Sequence, residues 1–429
     1  MNRAMKAPNV QVVPFVPTRI SVKDFGPIKE ADIHLGKVTV LMGPDNTGKS
    51  YLTVLMPVLE ELIRNWRYAQ ALMSSTNYTF TLKDFELQLN VMLYDILYIF
   101  YSIEPEELIR RGAEKAEIKF ELRSKKGQAV ELEVQIDKSG VNSKLHGFDE
   151  LFESSKAPTI EPVVYIPAER AGMMRALKQF LRLLLAMSLL SAPLYKRKVQ
   201  LMSERFRLPG PSMFFLEQLL GVEKFTQKER ERAFTAPALE LLEEVLHGRI
   251  EMYEDLSIRY YPIGAEKPID LINTSAMVSE LSALYLLSGT LREGWWLVVE
   301  EPEAHVHPEG QATIARFMAM LARLGVNVMA TTHSDILALK LAQMVGLTGL
   351  SPEERERLGY RGDEYLTKEE LALYIMEPTE DGSIVRKIEV SETGEVSDLP
   401  TYTNVLEEMY GEAVKLLELH GKIPKVNEG

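Results

Sequence analysis

Residues 43–50 read Gly-Pro-Asp-Asn-Thr-Gly-Lys-Ser, between the apolar run Lys37–Met42 and a segment in which Leu52, Leu55, Met56, Leu59 and Ile63 recur at helical spacing. Few local arrangements restrict a fold as strongly. A buried strand that runs through a glycine turn into a helix points backbone amides and the positive helix end at one spot, which makes an anion cradle. Gly43 and Gly48 supply the curl, Lys49 is expected to reach the β- and γ-phosphates of a nucleotide, and the Ser50 hydroxyl to ligate Mg²⁺. Pro44, Asp45, Asn46, Thr47 and Tyr51 complete the candidate nucleotide-contacting set. The competing reading, a glycine turn with a chance Lys-Ser, does not account for the strand before it and the helix after it. Asp45 is the anomaly, because a carboxylate repels phosphate unless it points outward or caps the turn. A turn-stabilising role is expected for it. Asn46 is left with two options, a phosphate or the attacking water.

The chain has 429 residues, enough for one large α/β domain or for two to three units of roughly 100–200 residues. With 46% hydrophobic and 26% charged residues, collagen-like, mucin-like and wholly disordered classes are excluded. Cysteine is absent, which excludes disulfides, thiolate zinc sites and cysteine nucleophiles. The 62 acidic and 49 basic residues give a net charge of −13, which disfavours an unspecific nucleic-acid coat but leaves room for a local basic groove. The apolar uncharged run Leu183–Tyr195 holds two serines and Pro193 and is too short to span a bilayer. No membrane association is expected, and a cytoplasmic location is the default.

Five stretches organise the chain. Residues 1–66 hold strand-like pieces, Arg19–Phe25 and Ala31–Leu35, before the glycine turn, suggesting an antiparallel edge that feeds a buried parallel strand. Residues 67–162 form an expected α+β insertion, with a helix around 82–103 and two alternating strands, Glu117–Arg123 and Ala129–Ile136. Residues 163–270 contain a buried strand, Val163–Pro167, a helix over about 172–190, the basic segment Lys196–Arg207, a helix over about 228–247 and two further strands. Residues 271–347 show a helix-strand-helix-strand-helix rhythm. In 348–429 a hairpin (Ala372–Pro378 with Val385–Ser391) is followed by an amphipathic pattern from Tyr402 to Leu417. The expected class is α/β, with a mixed, mostly parallel sheet, an antiparallel edge and a helical lobe.

Within 271–347, Trp295–Glu300 ends in the adjacent carboxylates Glu300 and Glu301. Placing like charges beside a buried strand is costly unless a metal or proton compensates, so bound Mg²⁺ is the expected explanation. Successive strand residues face opposite ways, which separates their roles. Glu300 is expected on the Mg²⁺ side, and Glu301 as the group that orients or deprotonates the attacking water. Glu303, His305 and His307 are read as structural or interfacial. The strand Val326–Thr332 delivers His333 to the same sheet edge, where it can sense a γ-phosphate, with Ser334 or Asp335 capping the next helix.

Together, "ISVKDFGPIKEADIHLGKVTVLMGPDNTGKSYL", "YIPAERAGMM", "SAMVSELSALYLLSG", "VVEEPEAHVHP" and "TTHSD" resemble the compact ABC-class P-loop ATPases of the SMC, RecF and OLD kind. The resemblance covers roughly residues 18–66, 163–180, 270–347 and the final hairpin and helix. It implies an ABC-type P-loop NTPase fold, with Lys49, Glu301 and His333 in catalysis, ATP and Mg²⁺ as ligands, and Ser50 and Glu300 at the metal. It also implies a head-to-tail ATP dimer in which a degenerate signature helix of one subunit touches the γ-phosphate bound by the other. Ser275 and Ser279 are the candidates for that contact; an ordinary serine-capped helix is the alternative, since the paired glycines of transporter-type signatures are missing. The wider family has an aspartate where Glu300 stands here.

Two functional readings follow. The first is an ATP-hydrolysing, ATP-gated dimerisation switch acting in DNA maintenance, repair or defence. The second is a nucleotide-binding regulatory or structural module that controls a separate effector and hydrolyses little. No D-x-D pair occurs in the sequence, so a built-in nuclease centre is not expected, whereas a separate nuclease partner is compatible with it. DNA contact rests on Lys196–Arg207 and on Arg110, Arg111, Lys115, Lys119, Arg123, Lys125 and Lys126, which can equally form a solvated face.

Overall fold

The computed structural model describes residues 12–74, 81–149, 157–189, 208–396 and 409–416. Among the described residues one mixed sheet has twelve strands, eleven of them in the order β6-β5-β4-β1-β2-β15-β14-β3-β13-β12-β8 and the twelfth, β7, off this path. Its N-terminal strands are β1 (Val12–Phe25), β2 (Ile28–His34) and β3 (Val38–Met42). Next come β4 (Lys115–Ser124), β5 (Ala129–Asp137), β6 (Gly140–His146), β7 (Ala157–Ile160), which pairs with β1, and β8 (Val163–Ile166). A separate antiparallel sheet of three strands holds β9 (Gly248–Met252), β10 (Ile258–Pro262) and β11 (Ile269–Asp270). The C-terminal third supplies β12 (Trp296–Glu300), β13 (Asn327–Thr332), β14 (Leu371–Thr379) and β15 (Gly382–Ile388).

The parallel centre is β14-β3-β13-β12-β8, and its strands are buried on both faces. Alternate residues divide between two cores, as strand geometry requires. Val38, Val40, Leu297, Val299, Val328 and Ala330 face the helices Ala276–Ser288, Pro308–Arg323 and Asp335–Gly346. Leu41, Trp296, Val298, Met329 and Tyr374 face Leu55–Ser74 and Leu82–Tyr101. Parallel pairing of β3 with β13 and of β13 with β12 brings three strand ends, Met42, Thr332 and Glu300, to one edge.

The antiparallel edge expected at the N-terminus is present, and it is larger than the sequence indicated. The block 67–162, expected as an insertion, continues the same sheet, because β4 pairs antiparallel with β1 and carries β5 and β6 beyond it. The stretch expected as one helix near 228–247 is two, Gln227–Arg232 and Ala236–Leu246. The turn between them holds Thr235, fully buried, with its hydroxyl donating to Ser288 O at 2.7 Å. The β14-β15 hairpin is as expected. The basic segment 196–207 and Tyr402, Val405, Leu406 and Leu417 lie outside the described residues.

Trp66 joins the N-terminal lobe together. It is 2% exposed, its ring stacks on Phe148 at 5.0 Å and meets Phe85 at 4.5 Å, so it links the helix Leu55–Ser74 to the helix and strands that follow. Truncating a large buried aromatic leaves a cavity that its neighbours fill only in part. Trp66→Ala is expected to destabilise the protein by about 3–5 kcal/mol, read from denaturant unfolding.

Candidate nucleotide site at the strand ends

The glycine turn is held by its own backbone. Gly43 has φ 138°, and a Cβ there would lie 2.5 Å from Met376 O of β14. Gly48 has φ 95°, and a Cβ there would lie 2.7 Å from Ile28 Cγ1 and 2.9 Å from Pro27 Cγ. The Phe25-Gly26-Pro27-Ile28 turn therefore packs directly on the phosphate-loop glycine. Tyr51 packs edge-on against Phe25 at 5.8 Å, and its carbonyl accepts from Tyr101 Oη at 2.8 Å. Thr47 Oγ1 donates to Pro44 O at 2.9 Å, the side-chain bond that closes the turn.

Lys49 is buried at the start of the helix Lys49–Thr53. Its Nζ donates to Gly43 O at 2.9 Å and to Pro44 O at 2.7 Å, so the ammonium sits within its own loop. Burial pushes Lys49 below its ordinary range, opposed by the carboxylates of Asp45, Glu301, Glu303 and Glu300. An anion placed in the loop would favour the charged form.

Glu300 ends β12 with its carboxylate buried among hydroxyls. Oε1 accepts from Thr53 Oγ1 and Tyr165 Oη, both at 2.8 Å, and Oε2 accepts from Ser50 Oγ at 3.1 Å. Ser50 and Glu300, separated by 250 positions in the chain, are thus brought together as the sequence reading required of a metal-binding pair. Thr53 and Tyr165 were not singled out for this role. Burial raises Glu300 despite its three hydroxyl donors, and burial likewise raises Tyr165.

Glu301 lies just past the strand with φ 45°, a left-handed conformation unfavourable for a residue with a Cβ. It is held there by its own amide, which donates to Thr331 O at 3.0 Å, and by its carbonyl, which accepts from Arg170 Nη2 at 2.8 Å. The conformation turns its carboxylate away from Glu300 and toward His333, whose Nε2 is 3.6 Å from Glu301 Oε1. The same nitrogen is 3.2 Å from Asp45 Oδ1. Asp45, expected to stabilise its own turn, instead projects across the site, with 86% of its side chain exposed, and meets His333. His333 is fixed from behind, because its amide donates to Glu303 Oε1 at 2.9 Å while Thr332 Oγ1 donates to the same oxygen at 2.5 Å. Glu303 is therefore structural, as expected, and burial raises it.

Ser334 caps the helix Asp335–Gly346, accepting from Leu337 N at 3.1 Å, which decides between the two capping candidates. His307 caps Pro308–Arg323. Ser275 and Ser279 are not equivalent. Ser275 is the exposed N-cap of Ala276–Ser288, accepting from Val278 N at 3.3 Å. Ser279 is fully buried, accepts from Arg175 Nε at 2.8 Å and donates to Ser275 O at 3.2 Å. As the chain stands, Ser279 is closed off from an outside phosphate and Ser275 is open to one.

The buried strand, glycine turn and helix thus form a phosphate-loop arrangement in an α/β sheet, with Glu300, Glu301 and His333 delivered to the same edge by neighbouring strands. Residues 274–339, from the helix with Ser275 to the helix after His333, match the family model described as "AAA domain, putative AbiEii toxin, Type IV TA system". Among solved structures, the chain is similar to the SMC head domain from Thermotoga maritima, at 11% identity and TM-score 0.43, over 87% of this chain and 99% of that one. It is also similar to an Smc head with an extended coiled coil, bound to the C-terminal domain of ScpA, from Pyrococcus furiosus, at 12% identity and TM-score 0.45, over 92% and 100%. No curated protein matches.

The Glu300 environment yields a sign that can be checked. A carboxyl raised on folding contributes stability below its unfolded range, and this is lost as pH rises through the folded value. Glu300→Gln keeps the shape and removes the buried charge. It is expected to raise the Tm of the nucleotide-free protein at neutral pH, on the order of 2 °C, and to flatten its fall from acid to neutral pH. Thermal scans across that range check both.

Proposed function

We propose that the protein hydrolyses ATP with Mg²⁺ and acts as an ATP-gated dimerisation switch. The observation that carries this reading is the convergence, on one sheet edge, of Lys49 and Ser50 with Glu300, Glu301 and His333. Lys49 would exchange its two loop carbonyls for β- and γ-phosphate oxygens. Ser50 and Glu300 would hold the metal. A buried carboxylate facing an adjacent hydroxyl, with neutral donors around it, suits a divalent cation, which when bound neutralises charge on the phosphates. Glu301, whose carboxylate faces His333, would orient or deprotonate the attacking water. His333 would donate to the γ-phosphate from the position where it now meets Asp45.

The dimer is supported by the open end of the signature-like helix. Ser275 is exposed, and Ile272 beside it is 58% exposed, so this end of the helix is open to a second subunit. Ser275, the exposed member of the pair, would be the one to touch a nucleotide held by a second copy.

The cellular task falls in DNA maintenance, repair or defence, with DNA or a separate nuclease or effector as partner. For DNA the support rests on 196–207 with Arg111, Arg123, Lys125 and Lys126, because the other described candidates are already paired: Arg110 with Asp24 at 2.7 Å, Lys115 with Glu117 at 2.6 Å and Lys119 with Glu133 at 3.5 Å. Among the described residues no helix is long and apolar enough to cross a membrane.

The test is ATP turnover by the purified full chain, together with light scattering of Glu301→Gln. Lys49→Ala and Glu301→Gln are expected to lower kcat at least about 100-fold, and ATP with Mg²⁺ to convert Glu301→Gln from monomer to dimer. Equal turnover in wild type and both variants would overturn the hydrolase reading. A monomer under all conditions would favour the regulatory module that binds nucleotide without the sandwich.

A further inference from the structure

Arg170 is the largest buried charge that the nucleotide reading leaves without a role. It opens the helix Arg170–Leu189, directly after β8, and is fully enclosed. Its Nη1 donates to Pro167 O at 3.0 Å and to Glu300 O at 2.6 Å, and its Nη2 donates to Glu301 O at 2.8 Å. Its Nε donates to Glu280 O at 3.3 Å and lies 3.1 Å from Glu280 Oε2. A guanidinium presents its donors in a rigid plane, so these bonds fix relative positions as well as satisfying charge.

The two ends of this arrangement belong to different parts of the site. One end grips two consecutive carbonyls, those of Glu300 and Glu301, which flank the Glu301 Cα. The other grips Glu280, a buried residue of the helix Ala276–Ser288, next to Ser279 and just over one turn from the N-cap Ser275. Glu280 also lies 4.0 Å from His305 Nε2, in the loop that follows Glu301. The neighbouring Arg175 repeats the theme on the next turn of its helix, donating to Ser279 Oγ and, at 2.8 Å, to Thr274 O. A buried ion pair can often be exchanged for apolar side chains without loss of stability, so stability alone does not call for this one.

We propose that Arg170 is a positioning residue, which locks the Glu300-Glu301 peptide to the signature-like helix through Glu280 and so transmits nucleotide occupancy to the dimer face at Ser275. The proposal rests on the ATP-gated dimer reading and adds to it a route within one subunit. Movement of the strand end on nucleotide binding pulls on Glu280 through a planar group bonded at both ends, and the helix end follows. Binding of ATP itself needs the phosphate loop and not this strut.

The experiment compares three variants, each made with Glu301→Gln for binding and dimerisation and with Glu301 intact for turnover. Arg170→Lys keeps the charge and loses the fork, Glu280→Gln keeps the shape and loses the ion pair, and Arg170→Met with Glu280→Leu replaces both by apolar groups. ATP affinity is expected to stay within about threefold of the parent in all three, while ATP-induced dimerisation weakens about tenfold or more, within the usual range of coupling between sites. With Glu301 intact, kcat is expected to fall and KM to hold. The double variant is expected to recover the parent's Tm and not its dimerisation. Parent-like dimerisation and kcat in the double variant would overturn the proposal and leave Arg170 a structural residue, as would ATP affinity falling in step with dimerisation. Should the Glu301→Gln parent itself stay monomeric with ATP, the dimer reading and the proposed transmission to a dimer face would both fall. Should the parent dimerise while the three variants match it, only the strut would fall.

Discussion

The Glu300 carboxylate is the point on which the other parts depend. Three hydroxyls, from Ser50, Thr53 and Tyr165, converge on it from the phosphate-loop helix and from β8. Through them the strand that carries the acidic pair is tied to the turn that would carry the phosphates. Burying a carboxylate without a cation beside it is unfavourable, and burial pushes this one up accordingly. The surrounding structure maintains it because the two cores on either side of β12 leave the strand no alternative position. A group held at such a cost is suited to receiving a cation.

Around that point the protein separates two tasks that one strand end has to perform. Glu300 looks inward because it continues the alternation of β12, and Glu301 looks toward His333 because its backbone leaves the strand in a left-handed turn. The turn is over-determined from outside: Thr331 takes its amide and Arg170 its carbonyl. Glu303 then sets the height of His333 through the amide of that residue. Chemistry at the edge thus depends on residues that would touch neither phosphate nor metal.

Legibility in the sequence followed the range of the interactions. The glycine turn, the apolar strands and the serine caps are set by neighbours within a few positions, and they stood out. So did the convergence of β3, β12 and β13, since parallel strands joined by helices deliver their ends to one edge. Tyr165 did not stand out, because its partner is 135 positions away and a tyrosine in an apolar strand reads as core. Asp45 was read within its own turn, whereas its partner, His333, comes from the far third of the chain. Ser275 and Ser279 were indistinguishable for another reason: Ala276–Ser288 is buried along most of its length, so spacing reveals no solvent face. The extent of the antiparallel lobe was hidden because alternating strands show that one face is covered and say nothing about which strand lies beside them.

The placement of β3 bears on how the molecule is made. Its two neighbours are β13 and β14, whose residues come roughly 290 to 330 positions after it in the chain. During synthesis the phosphate loop therefore emerges with the strand that supports it unpaired on both sides, and the anion cradle takes shape only when the last third arrives. Pairings of such long range close slowly and leave apolar strand edges open meanwhile. The cradle and the carboxylates and histidine beside it would thus be assembled together rather than in succession.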